Sequence, residues 1–291
     1  MKLNKEMIDL AISSNQKCTI YGDYVLLYKH FSVKDEELDE YIRKINGLKT
    51  KGISTVAILD YYKTNTSSYG YSKVVILEEK APGRNLDYKN ISIYLKTAPD
   101  FEKSTIEYIN NLDDYINELE IRSNAPQSVF DKFVTDYMSI INSDLMIDPK
   151  PLNFYFDKDA GFTFIDINGS GKDDLKYLPR YFLGAALGYG VPNLYIQHNN
   201  CSYIDGERFN RLKDSIVKII EKVAASLIKY GYSKEEVTKA SFNWTNQLTY
   251  LKHIDSIADL SNKLAEEYAR IKDEEKLKKQ NVEESEWTVG W

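Results

Sequence analysis

The run from Asp144 to Ile167 constrains this chain most: Asp-Leu-Met-Ile-Asp-Pro-Lys-Pro-Leu-Asn-Phe-Tyr-Phe-Asp-Lys-Asp-Ala-Gly-Phe-Thr-Phe-Ile-Asp-Ile. Two short aromatic, β-prone runs, Phe154–Phe156 and Phe162–Ile165, flank the turn residues Asp157–Gly161, so the segment reads as a β-hairpin. A hairpin doubles the chain back and returns Asp166 close to Asn153, with Asp148 in the loop that enters it. Two carboxylates and an amide then converge at one end of a tight structure. Such hard oxygen donors suit Mg²⁺, which takes one or two carboxylates and leaves the rest of its shell to water and phosphate.

The rest of the composition narrows the setting. A chain of 291 residues can form one large domain or two smaller lobes. Its hydrophobic share of 43% and charged share of 28% are those of an ordinary globular protein. A net charge of −6 gives no basic footprint for nucleic acid. Cys18 and Cys201 are too few for a disulfide framework, and no Cys-x-x-Cys points to zinc. His198 and His253 have no partners at metal-ligand spacing. No apolar stretch is long enough to span a membrane, and the charged start lacks the apolar run of a signal peptide. The expected location is cytoplasmic.

Taken in order, residues 1–12 read as a short amphipathic helix. Cys18–Tyr21 and Tyr24–Tyr28 read as a hairpin about Gly22-Asp23. Residues 33–51 carry Leu38, Ile42, Ile45 and Leu48 at helical spacing, with acids early, lysines late and Gly52 as the stop. Val56–Tyr62 and Val74–Glu78 read as strands joined by a polar loop. Helices follow over 102–121, from Pro126 to Ile141, over 175–190, and in three amphipathic stretches at about 207–230, 234–251 and 255–277. The middle one opens on Ser233-Lys-Glu-Glu236, a capping-box pattern.

Asp148, Asn153 and Asp166 stand at the intervals of the catalytic loop and metal-binding Asp of the protein-kinase-like superfamily, and Asp148-Pro-Lys150-Pro-Leu-Asn153 is similar to the Asp-Leu-Lys-Pro-Glu-Asn of Ser/Thr protein kinases. Val74-Val-Ile-Leu-Glu-Glu-Lys-Ala-Pro-Gly-Arg resembles the interlobe hinge of aminoglycoside- and choline-type small-molecule kinases. The resemblance runs from about residue 12 to 190. It implies an α+β, two-lobe fold: a β-rich lobe over 1–80, a helical lobe over 81–271 and a charged tail over 272–291. It also implies ATP- and Mg²⁺-dependent transfer of a phosphoryl group to a hydroxyl acceptor, on a protein or a small molecule. Lys29 would contact the non-transferred phosphates. Glu37 or Glu40 would hold that lysine, with Glu37 preferred. Leu77 would border the adenine pocket, and the backbone at Glu78 and Lys80 would meet the adenine edge. Asn153 and Asp166 would hold Mg²⁺, Asp148 would orient or deprotonate the acceptor, and Lys150 would serve as the loop lysine.

The departures from that pattern keep a second reading open. Met146-Ile147 replace His-Arg before Asp148, Ile167-Asn168 replace Phe-Gly after Asp166, and no Ala-Pro-Glu follows. Ser13-Ser14-Asn15-Gln16, in the place of the phosphate-covering turn, has no glycine. A non-catalytic, pseudokinase-type binding module is the alternative, and a helical interaction protein without a nucleotide site is a further one. Trp287 and Trp291 in a polar tail are expected to dock onto a partner or onto the chain itself.

Overall fold

A computed structural model describes residues 1–14, 18–30, 34–66, 72–86, 101–147, 153–169 and 206–239, with single positions at 241, 266, 269, 270 and 273. The expected helix at 175–190, Asp148, Lys150, Cys201, His198, His253 and the Trp287/Trp291 tail lie outside the described residues. What is described is mixed α+β, with a small antiparallel sheet and helices. It divides into two compact units. One joins residues 1–86 to 132–175, and the other joins 87–131 to 176–291. Residues 132–175, grouped by the sequence with the helical part, therefore cluster with the N-terminal sheet.

In the first unit α1 (Lys5–Ser13) starts on Asn4, whose side-chain oxygen accepts from the Met7 amide at 2.9 Å. Strands β1 (Cys18–Tyr21), β2 (Tyr24–His30), β3 (Ile58–Thr66) and β4 (Ser72–Glu79) form an antiparallel sheet in the order β1-β2-β4-β3. Strand residues alternate between faces. Leu26, Val75 and Leu77 point to one face, where Met7 and Ala11 of α1 cover them. Each large side chain so buried contributes about 1.5–3 kcal/mol. Val25, Lys29, Ile76 and Glu78 point to the other face.

Helix α2 (Leu38–Thr50) buries Leu38, Ile42, Ile45 and Leu48, the stripe that the spacing predicts, and Tyr41 with them. Asn46 fixes it to the sheet: its amide donates to the Ile58 carbonyl at 2.8 Å and its oxygen accepts from the Ile58 amide at 2.9 Å. The Asn46 side chain thus satisfies a backbone pair that a neighbouring strand would otherwise fill.

The hairpin forms as read, from β6 (Phe154–Asp157) and β7 (Gly161–Phe164), with Phe154 opposite Phe164. The Asp157 carboxylate accepts from the amides of Asp159 and Ala160, which shapes the turn. β5 (Leu145–Ile147) pairs with β8 (Ile167–Gly169), so Ile147 stands opposite Ile167. Phe133 of α4 (Gln127–Ile141) packs on the hairpin, with ring centroids 4.4 Å from Phe162 and 5.6 Å from Phe164. Backbone bonds tie the hairpin to the N-terminal segment. The Phe164 amide donates to the Ser54 carbonyl at 2.9 Å, and Arg84 and Phe156 exchange backbone bonds of 3.0 and 2.8 Å.

In the second unit α3 (Phe101–Asn124) packs against α5 (Gly206–Tyr230), and both bury apolar residues, Ile116 and Leu119 of the first and Ile216, Ile219 and Val223 of the second. Forked pairs line their edge. The Arg208 guanidinium bonds Asp113 at 2.6 and 2.9 Å, and that of Arg211 bonds Glu120 at 2.8 and 2.6 Å. The capping box forms as expected: Glu236 bonds the Ser233 amide at 2.9 Å, and the Ser233 hydroxyl accepts from the Glu236 amide at 3.1 Å. Among the described residues no helix is long and apolar enough to cross a membrane.

Candidate functional site

Lys29, near the end of β2, reaches across the first unit to Asp166, with Nζ 2.5 Å from Oδ1. The lysine side chain is largely covered and the aspartate half-exposed. A pair so open to solvent adds only about 0–1 kcal/mol of stability. Its interest is therefore in what it places together. The two residues are 137 positions apart, and both line a small cleft with Ile45, Thr55, Glu78 and Ile167.

Asp166 adopts φ 53°, in the left-handed region. Asp tolerates that region better than most residues, and such conformations recur where a site holds a side chain in one direction. Both neighbours of Asp166 are held. The Ile165 amide donates to the Asn153 carbonyl at 3.0 Å, and the Ile167 carbonyl accepts from the Tyr41 hydroxyl at 2.7 Å. The hairpin so brings Asn153, itself buried, to the residue before Asp166. A carboxylate and a carboxamide oxygen are donors that fit Mg²⁺, which needs few protein ligands. Among the described residues no group of three or more His, Cys, Asp or Glu is arranged to hold a metal ion. Asp148 and Lys150 are not among those residues, although Ile147, just before Asp148, pairs with Ile167, just after Asp166.

Other expectations meet a different geometry. Glu37 is exposed at the N-cap position of α2, and the ion pair of Lys29 is with Asp166 instead. The inward stripe of α2 is apolar apart from Tyr41, and Glu37 and Glu40 both fall outside it. Leu77 faces α1, on the side of the sheet away from Lys29, while Glu78 shares the face of Lys29. The backbone of Glu78 sits inside the ladder, opposite both Val25 and Ile58. The Lys80 amide donates to the Asp23 carbonyl at 3.3 Å, so this edge stays paired one residue beyond β4. Ser13 is the last residue of α1, and the Ser14 amide donates to the Leu10 carbonyl at 3.0 Å. Two amides in the place of the phosphate-covering turn thus belong to α1.

Sequence reading missed the burial of the Glu78 side chain, which is only 8% exposed. Its carboxyl is pushed up to about 7, first by burial, against the attraction of Lys29 and together with the repulsion of Asp166. The Tyr41 hydroxyl is raised by burial first, then by Asp166 and Glu78. The Cys18 thiol on β1 is raised by desolvation and then by Glu78, although the residue as a whole is exposed.

A pH effect on stability follows. The folded-state value of Glu78 lies above the ordinary carboxyl value, so between the two the folded chain holds a proton that the unfolded chain has released. That contribution is complete below the ordinary value and is lost as pH rises through about 7. It amounts to about 3 kcal/mol. Glu78→Gln resembles the neutral acid at every pH. The unfolding free energy of wild type should therefore fall more steeply than that of the variant between about pH 5 and about pH 8. Equal slopes in urea titrations would remove Glu78 as the source.

Comparison with solved structures finds similarity to an apo pseudokinase structure, over 90% of this chain and 97% of that one, at 10% identity and a TM-score of 0.33. At that score and identity the likeness carries no argument about fold or function. No protein-family model and no curated protein matches the sequence.

Proposed function

We propose that the chain has a protein-kinase-like fold and is an ATP- and Mg²⁺-dependent phosphotransferase acting on a hydroxyl acceptor. The observation that carries this reading is the Lys29–Asp166 pair. A cation on the sheet and an anion after the hairpin meet in one cleft, at the two positions where the sequence resemblance puts the phosphate lysine and the metal aspartate. Lys29 would hold the non-transferred phosphates, and Asn153 and Asp166 would hold Mg²⁺. When bound, the cation neutralises charge on the transferred group. Asp148 would accept the proton of the attacking hydroxyl, and Lys150 would stand beside it. Such transfer depends on positioning and charge more than on covalent steps.

One observation favours the second reading, a pseudokinase-type nucleotide-binding module. The Ser13 and Ser14 amides are committed to α1, which leaves fewer donors for the γ-phosphate. Both readings share nucleotide binding. Lys29→Met should weaken Mg²⁺–ATP by about 1.5–3 kcal/mol, the worth of a hydrogen bond to a charged group. Titration calorimetry on the full chain measures this directly. An unchanged affinity would make Lys29 a structural partner of Asp166 alone.

A further inference from the structure

Lys29 has acids around it, and none of them comes from the stripe that α2 turns inward. That stripe is Leu38, Tyr41, Ile42, Ile45 and Leu48. Asp166 holds the ammonium in this structure. In the reading above its carboxylate also serves the cation, so its hold on Lys29 is shared. Glu78 remains. Its side chain lies on the same sheet face as Lys29, on the strand paired with β2, and lines the same cleft. It is more than nine-tenths buried. A carboxylate buried in that way is costly unless a charge or a donor answers it. The cation whose field reaches it is that of Lys29.

We propose that Glu78 is the positioning residue for Lys29, a strand-borne acid that holds the ammonium toward the phosphates once Asp166 is engaged by the cation. The role rests on the nucleotide-binding reading. Glu78 is assigned a role through Lys29, not on the reacting groups themselves. An acid on the sheet moves with the lysine it holds, whereas a helix acid makes the lysine depend on where the helix sits. Lys29 is therefore held independently of α2.

A double-mutant cycle tests this, because a coupling term isolates the pair from any general effect of either change. Four chains are compared: wild type, Glu78→Gln, Lys29→Met and the double variant. The first readout is the melting temperature without nucleotide, at about pH 8, above the Glu78 value. Removing Lys29 strands the buried acid, so Glu78→Gln should raise the melting temperature of the Lys29→Met chain more than that of the chain with Lys29. Equal changes in both backgrounds overturn the pairing. The second readout is the Kd of Mg²⁺–ADP. Glu78→Gln should raise it about tenfold when Lys29 is present, the size of one charge-assisted contact, and leave it unchanged in the Lys29→Met background. A merely structural Glu78 would shift both backgrounds alike and so overturn the role. If wild type binds Mg²⁺–ADP and Glu78→Gln binds it equally well, the positioning role fails alone. If wild type does not bind it at all, the nucleotide reading fails and takes the role with it.

Discussion

Gly83→Ala is expected to lower the unfolding free energy of this chain by about 2–4 kcal/mol, the sum of a left-handed backbone penalty and the disruption of a pair of backbone hydrogen bonds. Gly83 has φ +75°, and a methyl group there would overlap the Phe156 carbonyl and come within 2.8 Å of the Asp157 nitrogen. The neighbouring backbone is fixed at the same spot by the two bonds between Arg84 and Phe156. Either the turn or the hairpin must move. Gly52 supplies the control, since its φ is +79° and an added methyl group meets nothing within 4 Å. Gly52→Ala should therefore cost only the backbone term, about 1–2 kcal/mol. Urea unfolding of both variants separates strain from collision. Equal losses would show that the turn does not press on the hairpin.

Asp148→Asn should cut phosphoryl transfer by about 10²–10⁴-fold, the range for a lost acid–base group, while Mg²⁺–ATP affinity stays within about twofold of wild type. The substitution keeps the size of the side chain and removes its basicity. Its proposed role is on the acceptor side, so nucleotide binding need not change. Autophosphorylation or slow ATP hydrolysis reports transfer without knowledge of the natural acceptor. Wild type that binds Mg²⁺–ATP and transfers nothing to a wide panel of hydroxyls supports the binding-module reading. Transfer that persists in Asp148→Asn removes Asp148 from the reaction.

Most elements were legible because their signals are local. The Asp157–Gly161 turn between aromatic runs, the Leu38–Leu48 stripe and the Ser233–Glu236 box each specify structure within a few residues, and each forms. The approach of Asn153 to Asp166 was legible for the same reason, since a hairpin returns the chain whatever lies around it. Features decided by face or distance were not legible. Leu77 and Glu78 differ by one position, and one position in a strand exchanges the two faces of a sheet. Which face meets α1 depends on Met7 and Ala11, some seventy residues away in sequence, and no pattern around Leu77 records it. Glu37 lies beside the inward stripe of α2, and the helix starts one residue after it. Pro82-Gly83 reads as a turn from its residues, but its clamp onto Phe156 joins segments that sequence spacing cannot bring together. The burial of Glu78 left no signal, because an acid at a strand end ordinarily marks the edge of the sheet.

Nucleotide binding through Lys29 and Asp166 is tested most directly by the melting temperature of the full chain with Mg²⁺–ATP, with ATP and a chelator, and with neither. A ligand of the native state at a hundredfold excess over its Kd adds about 2.7 kcal/mol of stability. Wild type should melt at a clearly higher temperature with Mg²⁺–ATP. The gain should vanish with the chelator and be mostly lost in Asp166→Asn, which tolerates the same left-handed backbone and removes only the charge. A wild-type melting temperature that Mg²⁺–ATP leaves unchanged, at millimolar nucleotide, would contradict the site.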